Sequence, residues 1–252
     1  MRYRGCERTG ANVTVAVIGS GIDEMDPRLA GHNIRGWNIS LGATGHALIG
    51  ADSADLNGHG TEMAAAVSMV APGVDLLSIR IMDAQLRTSA DLMAAGIETA
   101  FRNGARIINL SMGTPNMGKA LLLRDTCALA AESGAVVLAA AHPRGERAYP
   151  ADLPETIGVA THPDCGLDRF FYFSPDRFDP DEWGHLSDKF LGHGYEQQFG
   201  EIGAFRGSGI ATAYMSGFLA CIAESLPAAG AFELINALRS RALTPEPALG
   251  YA

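Results

Sequence analysis

The sequence predicts an α/β domain with three layers, a parallel central sheet carrying helices on both faces. Short β-branched runs alternate with longer helix-favouring stretches, the pattern of right-handed β-α-β units. The first run, Val13-Thr14-Val15-Ala16-Val17-Ile18, is almost continuously apolar, as a strand buried on both faces should be. The 252 residues show no linker and no internal repeat, so one domain is expected over 1–252.

The elements follow in order. Residues 1–11 are charged and irregular, and the first strand stops at Gly19-Ser20-Gly21. Residues 24–58 are rich in Gly, Asp, Asn and Pro and predict loops with short strands. The Ala- and Met-rich run from Thr61 to Val70 predicts a helix, closed by Ala71-Pro72-Gly73. Leu76 to Met82 is strand-like, and Thr88-Ser89-Ala90-Asp91 has capping-box spacing before a helix reaching Arg102. Arg106 to Ser111 predicts a strand, Lys119 to Ser133 a helix, Ala135 to Ala141 a strand, and Ile157 to Ala160 a short one. Residues 161–207 break the rhythm and are expected to be irregular, with Phe170, Phe171, Tyr172, Phe173 and Trp183 among Asp, Pro and Gly. Ile210 to Leu226 and Phe232 to Leu243 predict the last two helices.

Composition narrows the class. The chain is 47% hydrophobic, 19% charged and carries a net charge of -9, which disfavours nucleic acid and anionic membranes as partners. No apolar run is long enough to cross a bilayer and no signal peptide opens the chain, so a soluble, cytoplasmic protein is expected. Cys6, Cys127, Cys165 and Cys221 lie far apart, without the spacing of a disulfide framework or a zinc ribbon.

Gly19-Ser20-Gly21 after a strand first suggests a dinucleotide fingerprint. That fingerprint needs a third glycine where Glu24 stands, and Asp26-Pro27 interrupts the helix it requires, so no nucleotide cofactor is expected.

Four ordered segments point elsewhere. Val15-Ala16-Val17-Ile18-Gly19-Ser20-Gly21-Ile22-Asp23, Asn57-Gly58-His59-Gly60-Thr61-Glu62-Met63-Ala64, Ile107-Ile108-Asn109-Leu110-Ser111-Met112-Gly113 and Gly207-Ser208-Gly209-Ile210-Ala211-Thr212-Ala213 resemble the aspartate, histidine, substrate-binding and serine segments of the subtilisin-like serine proteases. Val70-Ala71-Pro72 and Val136-Val137-Leu138-Ala139-Ala140-Ala141 also fall where that family has V-A-P and V-V-A-A-A. The resemblance covers about residues 12 to 245 and implies the subtilisin-like fold.

It also exposes departures. Gly19 stands at the family's catalytic aspartate, Gly209 at its nucleophilic serine and Pro143 at its oxyanion asparagine, so only His59 survives. In the family mechanism the serine attacks, the histidine takes its proton and the carboxylate steadies the imidazolium. Glycine supplies neither a nucleophile nor a charge, and proline has no backbone N–H. The resemblance therefore implies a fold for proteolysis without its chemistry. The twelve residues between His59 and Pro72, and the short lead before the first strand, lead us to expect neither the family's calcium loop nor a folding pro-domain.

Residues beside the vacated positions could take over the chemistry. Ser208 and Ser20 flank those positions, but a one-residue shift turns either side chain away from His59. Glu62 could replace the lost acid, three residues along a helix from His59. His142 could meet His59 across the cleft, with Glu62 nearby, giving metal-ligand chemistry without metal-ligand spacing, so no metal is expected. His185 and His193 are expected at the surface, and Asp176, Asp179, Asp181 and Glu182 as a solvated acidic loop.

Family members bind an extended peptide by strand addition, which needs no triad. The resemblance places that binding at Ser111, Met112 and Gly113 and at Ala139, Ala140 and Ala141. The leading expectation is a pseudoprotease that holds a peptide or protein tail, alone or beside a partner enzyme or active protease. The second expectation is a hydrolase with non-standard residues around His59.

Overall fold

The β-branched run forms strand β1 (Thr14–Gly19) at the heart of the sheet. The computed structural model describes residues 8–42, 44–174, 189–198 and 201–243. The strands after β1 are β2 (Ile34–Leu41), β3 (Ala47–Gly50), β4 (Asp75–Arg80), β5 (Ile107–Leu110), β6 (Val136–Ala140), β7 (Ile157–Thr161), β8 (Phe171–Phe173) and β9 (Lys189–Gly192). The helices are α1 (His59–Val70), α2 (Ala90–Arg102), α3 (Ala120–Glu132), α4 (Ser208–Ser225) and α5 (Ala231–Arg239).

The nine strands are ordered β3-β2-β4-β1-β5-β6-β7-β9-β8. All pairings are parallel except the outermost, β2 with β3 and β8 with β9. After β4 the chain crosses β1 to lay down β5, so the winding reverses there. The carboxyl ends of β1 and β5 then flank the crevice where open α/β sheets bind ligands.

Alternation along the strands divides the core in two. Val15, Val17, Leu76, Ile107 and Leu138 pack with α1, α4 and α5 on one face. Ala16, Ile18, Leu77, Ile108 and Val137 pack with α2 and α3 on the other. All ten are at most 1% exposed, so the sheet is buried on both faces and the three-layer expectation holds. Each such aliphatic side chain contributes roughly 1.5–3 kcal/mol on burial, alanine less. Among the described residues no helix is long and apolar enough to cross a membrane.

The differences from expectation have local causes. Helix α1 begins at His59 because Gly58 adopts φ 97° and turns the chain into it. Ser89, not Thr88, caps α2 by accepting from the amide of Leu92, while Thr88 Oγ1 donates to the carbonyl of Ile81. Residues 24–58 contain the eight-residue β2 as well as the shorter β3. Residues 161–207 are not irregular throughout: they hold β8, β9 and an antiparallel pair, β10 (Tyr195–Gln198) with β11 (Glu201–Arg206). Strand β9 opens with Lys189, whose ammonium is buried 2.6 Å from Asp152. That charge breaks the apolar run by which a buried strand is recognised. His193 is not a plain surface residue; its Nδ1 lies 2.7 Å from the carbonyl oxygen of Cys165 and its ring tilts against Tyr214. The acidic cluster Asp176, Asp179, Asp181 and Glu182, together with His185 and Trp183, lies outside the described residues.

Candidate functional site

The site forms where α1 and α4 converge on the carboxyl ends of β1, β5 and β6. Between them is a cavity of about 250 Å³. Its walls are His59 and Met63 from α1, Ser111 after β5, Pro143 after β6, and residues 206–210 at the junction of β11 and α4.

His59 is set in place by a network that sequence reasoning missed. One oxygen of Asp55 accepts from Ser20 Oγ at 2.7 Å and from the amides of Asn57 and Gly58 at 2.9 Å each. The other accepts from the amide of Thr61 at 2.9 Å and from its hydroxyl. Ser20 Oγ in turn accepts from the amide of Gly60 at 2.9 Å. This ties the end of β1 to the first turn of α1. Burial pushes the Asp55 carboxyl upward, but hydrogen bonds from Thr61, Asn57, Gly58 and Ser20 outweigh it and hold it below the usual carboxylate range. The signal was present as Asp55-Leu56-Asn57-Gly58, since an Asp that bonds the amide two residues on is a turn-former.

Burial lowers the pKa of His59, and the charge of Asp55 offsets this only in part. The imidazole is therefore neutral at neutral pH.

Close packing fixes the first turn further. A Cβ on Gly60 would overlap the carbonyl oxygen of Gly21. Gly60→Ala must push α1 off the loop after β1. We expect it to cost about 1–3 kcal/mol, lowering Tm by roughly 2–4 °C per kcal/mol in a thermal melt. A melt within error of the parent would refute that packing.

Gly19 ends β1, and a Cβ there would stand 3.8 Å from His59 Nδ1. Gly209 lies in the first turn of α4, where a Cβ would stand 3.3 Å from the carbonyl oxygen of Ser111 and 3.5 Å from its Cβ. Both glycines thus face groups of the cavity wall, with no side chain filling the space.

The nearby hydroxyls are committed elsewhere. Ser111 Oγ donates to the carbonyl of Gly209 at 2.9 Å and accepts from Asn109 Nδ2 at 3.0 Å. Ser208 Oγ donates to the carbonyl of Ala141 at 2.6 Å, and Ser20 Oγ to Asp55. A hydroxyl has one proton, so none of the three gives its proton to His59.

Glu62 and His142 have partners of their own. Both oxygens of Glu62 accept from Arg28, at 2.6 Å each, and Arg28 also pairs with Asp26 at 2.7 Å. Glu62 is on the expected helix, but its carboxylate is turned to a residue 34 positions away. His142 accepts from the amide of Arg144 at 3.4 Å, and Pro143 rather than His142 lines the cavity. Among the described residues no group of three His, Cys, Asp or Glu side chains could hold a metal ion.

The two segments expected to bind substrate differ. Ala139 is paired on both sides, with Leu110 and Gly158, so it offers no open edge. Ala140 pairs with Val159, and the amide of Ala141 donates to the Val159 carbonyl at 2.8 Å. β7 thus covers one side of Ala139, Ala140 and Ala141, while on the other side the β5 ladder reaches only Ala139. Ser111, Met112 and Gly113 take part in no strand pairing among the described residues; the β5–β6 ladder ends at Leu110 and Ala139. Met112 packs its side chain against the α2 and α3 face, leaving Ser111 as the member that reaches the cavity.

Comparison with known proteins gives the family. The model of the subtilase family, peptidase S8, matches residues 10–174. The chain belongs to the subtilase family. Subtilisin E of Bacillus subtilis (strain 168) is 30% identical over 237 residues, covering 87% of this chain and 57% of the relative. Subtilisin of Bacillus pumilus is 30% identical over 237 residues, covering 87% and 79%. This subtilase thus spans little more than half the length of Subtilisin E. Among solved structures, S41 psychrophilic protease superposes with TM-score 0.75 at 21% identity, covering 94% of this chain and 86% of the other. Sphericase gives 0.72 at 22%, covering 94% and 84%. These two likenesses establish the subtilisin-like fold. The family model ends before Gly207–Ala213, so it is the fold that carries Gly209 to the cavity opposite α1.

Proposed function

We propose that this subtilase is a pseudoprotease that holds an extended peptide or protein tail in its cleft without cutting it, alone or as the accessory subunit of a processing enzyme. The observation that carries this reading is the pairing of vacated chemistry with a segment whose backbone joins no strand. Glycine stands at positions 19 and 209, where the family has its carboxylate and its serine, while Ser111–Gly113, beside the cavity, takes part in no strand pairing among the described residues. The competing reading, hydrolysis rewired through Ser208, Glu62 or His142 around His59, has the geometry against it. Ser208 gives its proton to Ala141, Glu62 is held by Arg28, and His142 is off the cavity wall.

A fluorescein-tagged degenerate hexapeptide pool tests the reading by anisotropy. Saturable binding in the micromolar range is expected, with intact peptides recovered by mass spectrometry and no fluorophosphonate labelling. Turnover abolished by His59→Ala would replace this reading with the hydrolase. Absence of binding would remove the peptide-holding role.

A further inference from the structure

We infer that Arg206 makes the cleft selective for a peptide that ends there, by pairing with its free C-terminal carboxylate. The inference rests on the peptide-holding reading and narrows it. Among the described residues that line the cavity Arg206 is the single fixed charge, and none is a carboxylate. The chain as a whole carries a net charge of -9, so a lone cation at this wall runs against the composition. Among the described residues the Arg206 guanidinium has no carboxylate within ion-pair distance, and it is exposed at the cavity mouth. His59, on the facing wall, is neutral at neutral pH and does not compete for an anion.

The rest of the wall suits the same ligand. The amides of Ser208, Gly209 and Ile210 open α4 on this cavity, and the cap residue Gly207 offers no side-chain acceptor to them. Ser208 cannot cap them, because its hydroxyl is turned to Ala141. Gly209 has no side chain to obstruct them, and Met63 and Ile210 give the cavity an apolar floor.

A peptide running through the cleft would lay a neutral backbone over Arg206. Such a backbone offers the guanidinium only neutral carbonyl oxygens, whose hydrogen bonds are about half as strong as those of an ionised acceptor. A chain that stops there brings a carboxylate, which a guanidinium can grip with two parallel hydrogen bonds. The structure thus favours a terminus over a through-running strand, with Ser111–Gly113 pairing the residues before it.

The experiment compares the degenerate hexapeptide pool in three forms: C-terminal acid, C-terminal amide, and amide carrying one internal aspartate. For the parent protein the acid is expected to bind at least about tenfold tighter than the amide, a difference of about 1.4 kcal/mol. In Arg206→Gln the acid should lose its advantage, so that the acid-to-amide ratio falls to near unity. Equal binding of acid and amide by the parent overturns the inference but leaves peptide holding intact. So does a preference that survives Arg206→Gln, or an aspartate-containing amide that matches the acid. Binding by none of the three overturns the peptide-holding reading itself. A circular dichroism melt of Arg206→Gln, expected to match the parent because the side chain is exposed, separates loss of recognition from loss of fold.

Discussion

Gly19→Asp combined with Gly209→Ser should give this subtilase a serine that reacts with fluorophosphonates and slowly hydrolyses an activated acyl ester. The geometry is favourable at the first position. A Cβ on residue 19 would stand 3.8 Å from His59 Nδ1, so a carboxylate reaching from it can accept that N–H and steady the imidazolium. At the second, a Cβ would lie 3.3 Å from the Ser111 carbonyl oxygen, so that segment must yield by a few tenths of an ångström. In subtilisin, loss of the serine costs about 10⁶-fold in turnover and loss of the aspartate about 10⁴-fold. Gly209→Ser alone should therefore stay about four orders of magnitude below the double variant. The double variant should still fall about 10²–10³-fold short of an intact enzyme, because Pro143 supplies no oxyanion donor. The new carboxylate should also raise the His59 pKa, which NMR can follow whether or not turnover appears. A folded double variant with a raised His59 pKa and no labelling would mean that residue 209 does not face His59 as a nucleophile must. Labelling of the parent protein would mean that a nucleophile acts elsewhere.

The second large effect is on stability. Asp55→Ala removes the acceptor for Ser20 Oγ, for three backbone amides and for the Thr61 hydroxyl. Ser20 is fully buried and Thr61 nearly so, and neither can turn to water without moving α1. Each buried donor left without its acceptor costs about 1–3 kcal/mol, so the loss of several lowers Tm by on the order of 10 °C in a chain of this size. A loss of less than 2 °C would show that the network does not hold α1 in place. The pH dependence follows from the depressed pKa of Asp55. The folded chain binds this proton less readily than the unfolded chain, whose pKa is the ordinary one near ~3.9. The stabilisation is thus fully present above that value and is lost as pH falls through it toward the lower folded pKa. Asp55→Asn should flatten this part of the acid limb in urea melts between pH 7 and pH 3.

The course of the fold was legible in the residues themselves. The run Val13–Ile18 announces a strand buried on both faces, and strands alternating with helices announce the parallel sheet around it. Of the site, His59 and Ser111 were legible through their motifs, and both line the cavity. Three things were not. Glu62 has the right spacing to assist His59, but periodicity assigns a residue to a helix face and says nothing about Arg28 arriving from another loop. The resemblance places Ala139–Ala141 beside a bound peptide, yet which of its sides lack a partner depends on where β5 and β7 pair. Residues 161–207 lack the apolar run of a buried strand, because β9 buries a charged lysine through an ion pair with Asp152.

By itself, then, the sequence determined the α/β layering, the family, and the absence of side chains at positions 19 and 209. These are properties of local pattern and residue type. Which groups meet follows from tertiary packing: Asp55 anchors the first turn of α1, the three serine hydroxyls near the cavity are engaged elsewhere, and Arg206 lines the same cavity as His59. The reason is that chain separation carries no information about contact once helices dock. Residues 59 and 206 become neighbours because α1 and α4 bury their small apolar faces against the same side of the sheet, and that packing brings their first turns to one crevice.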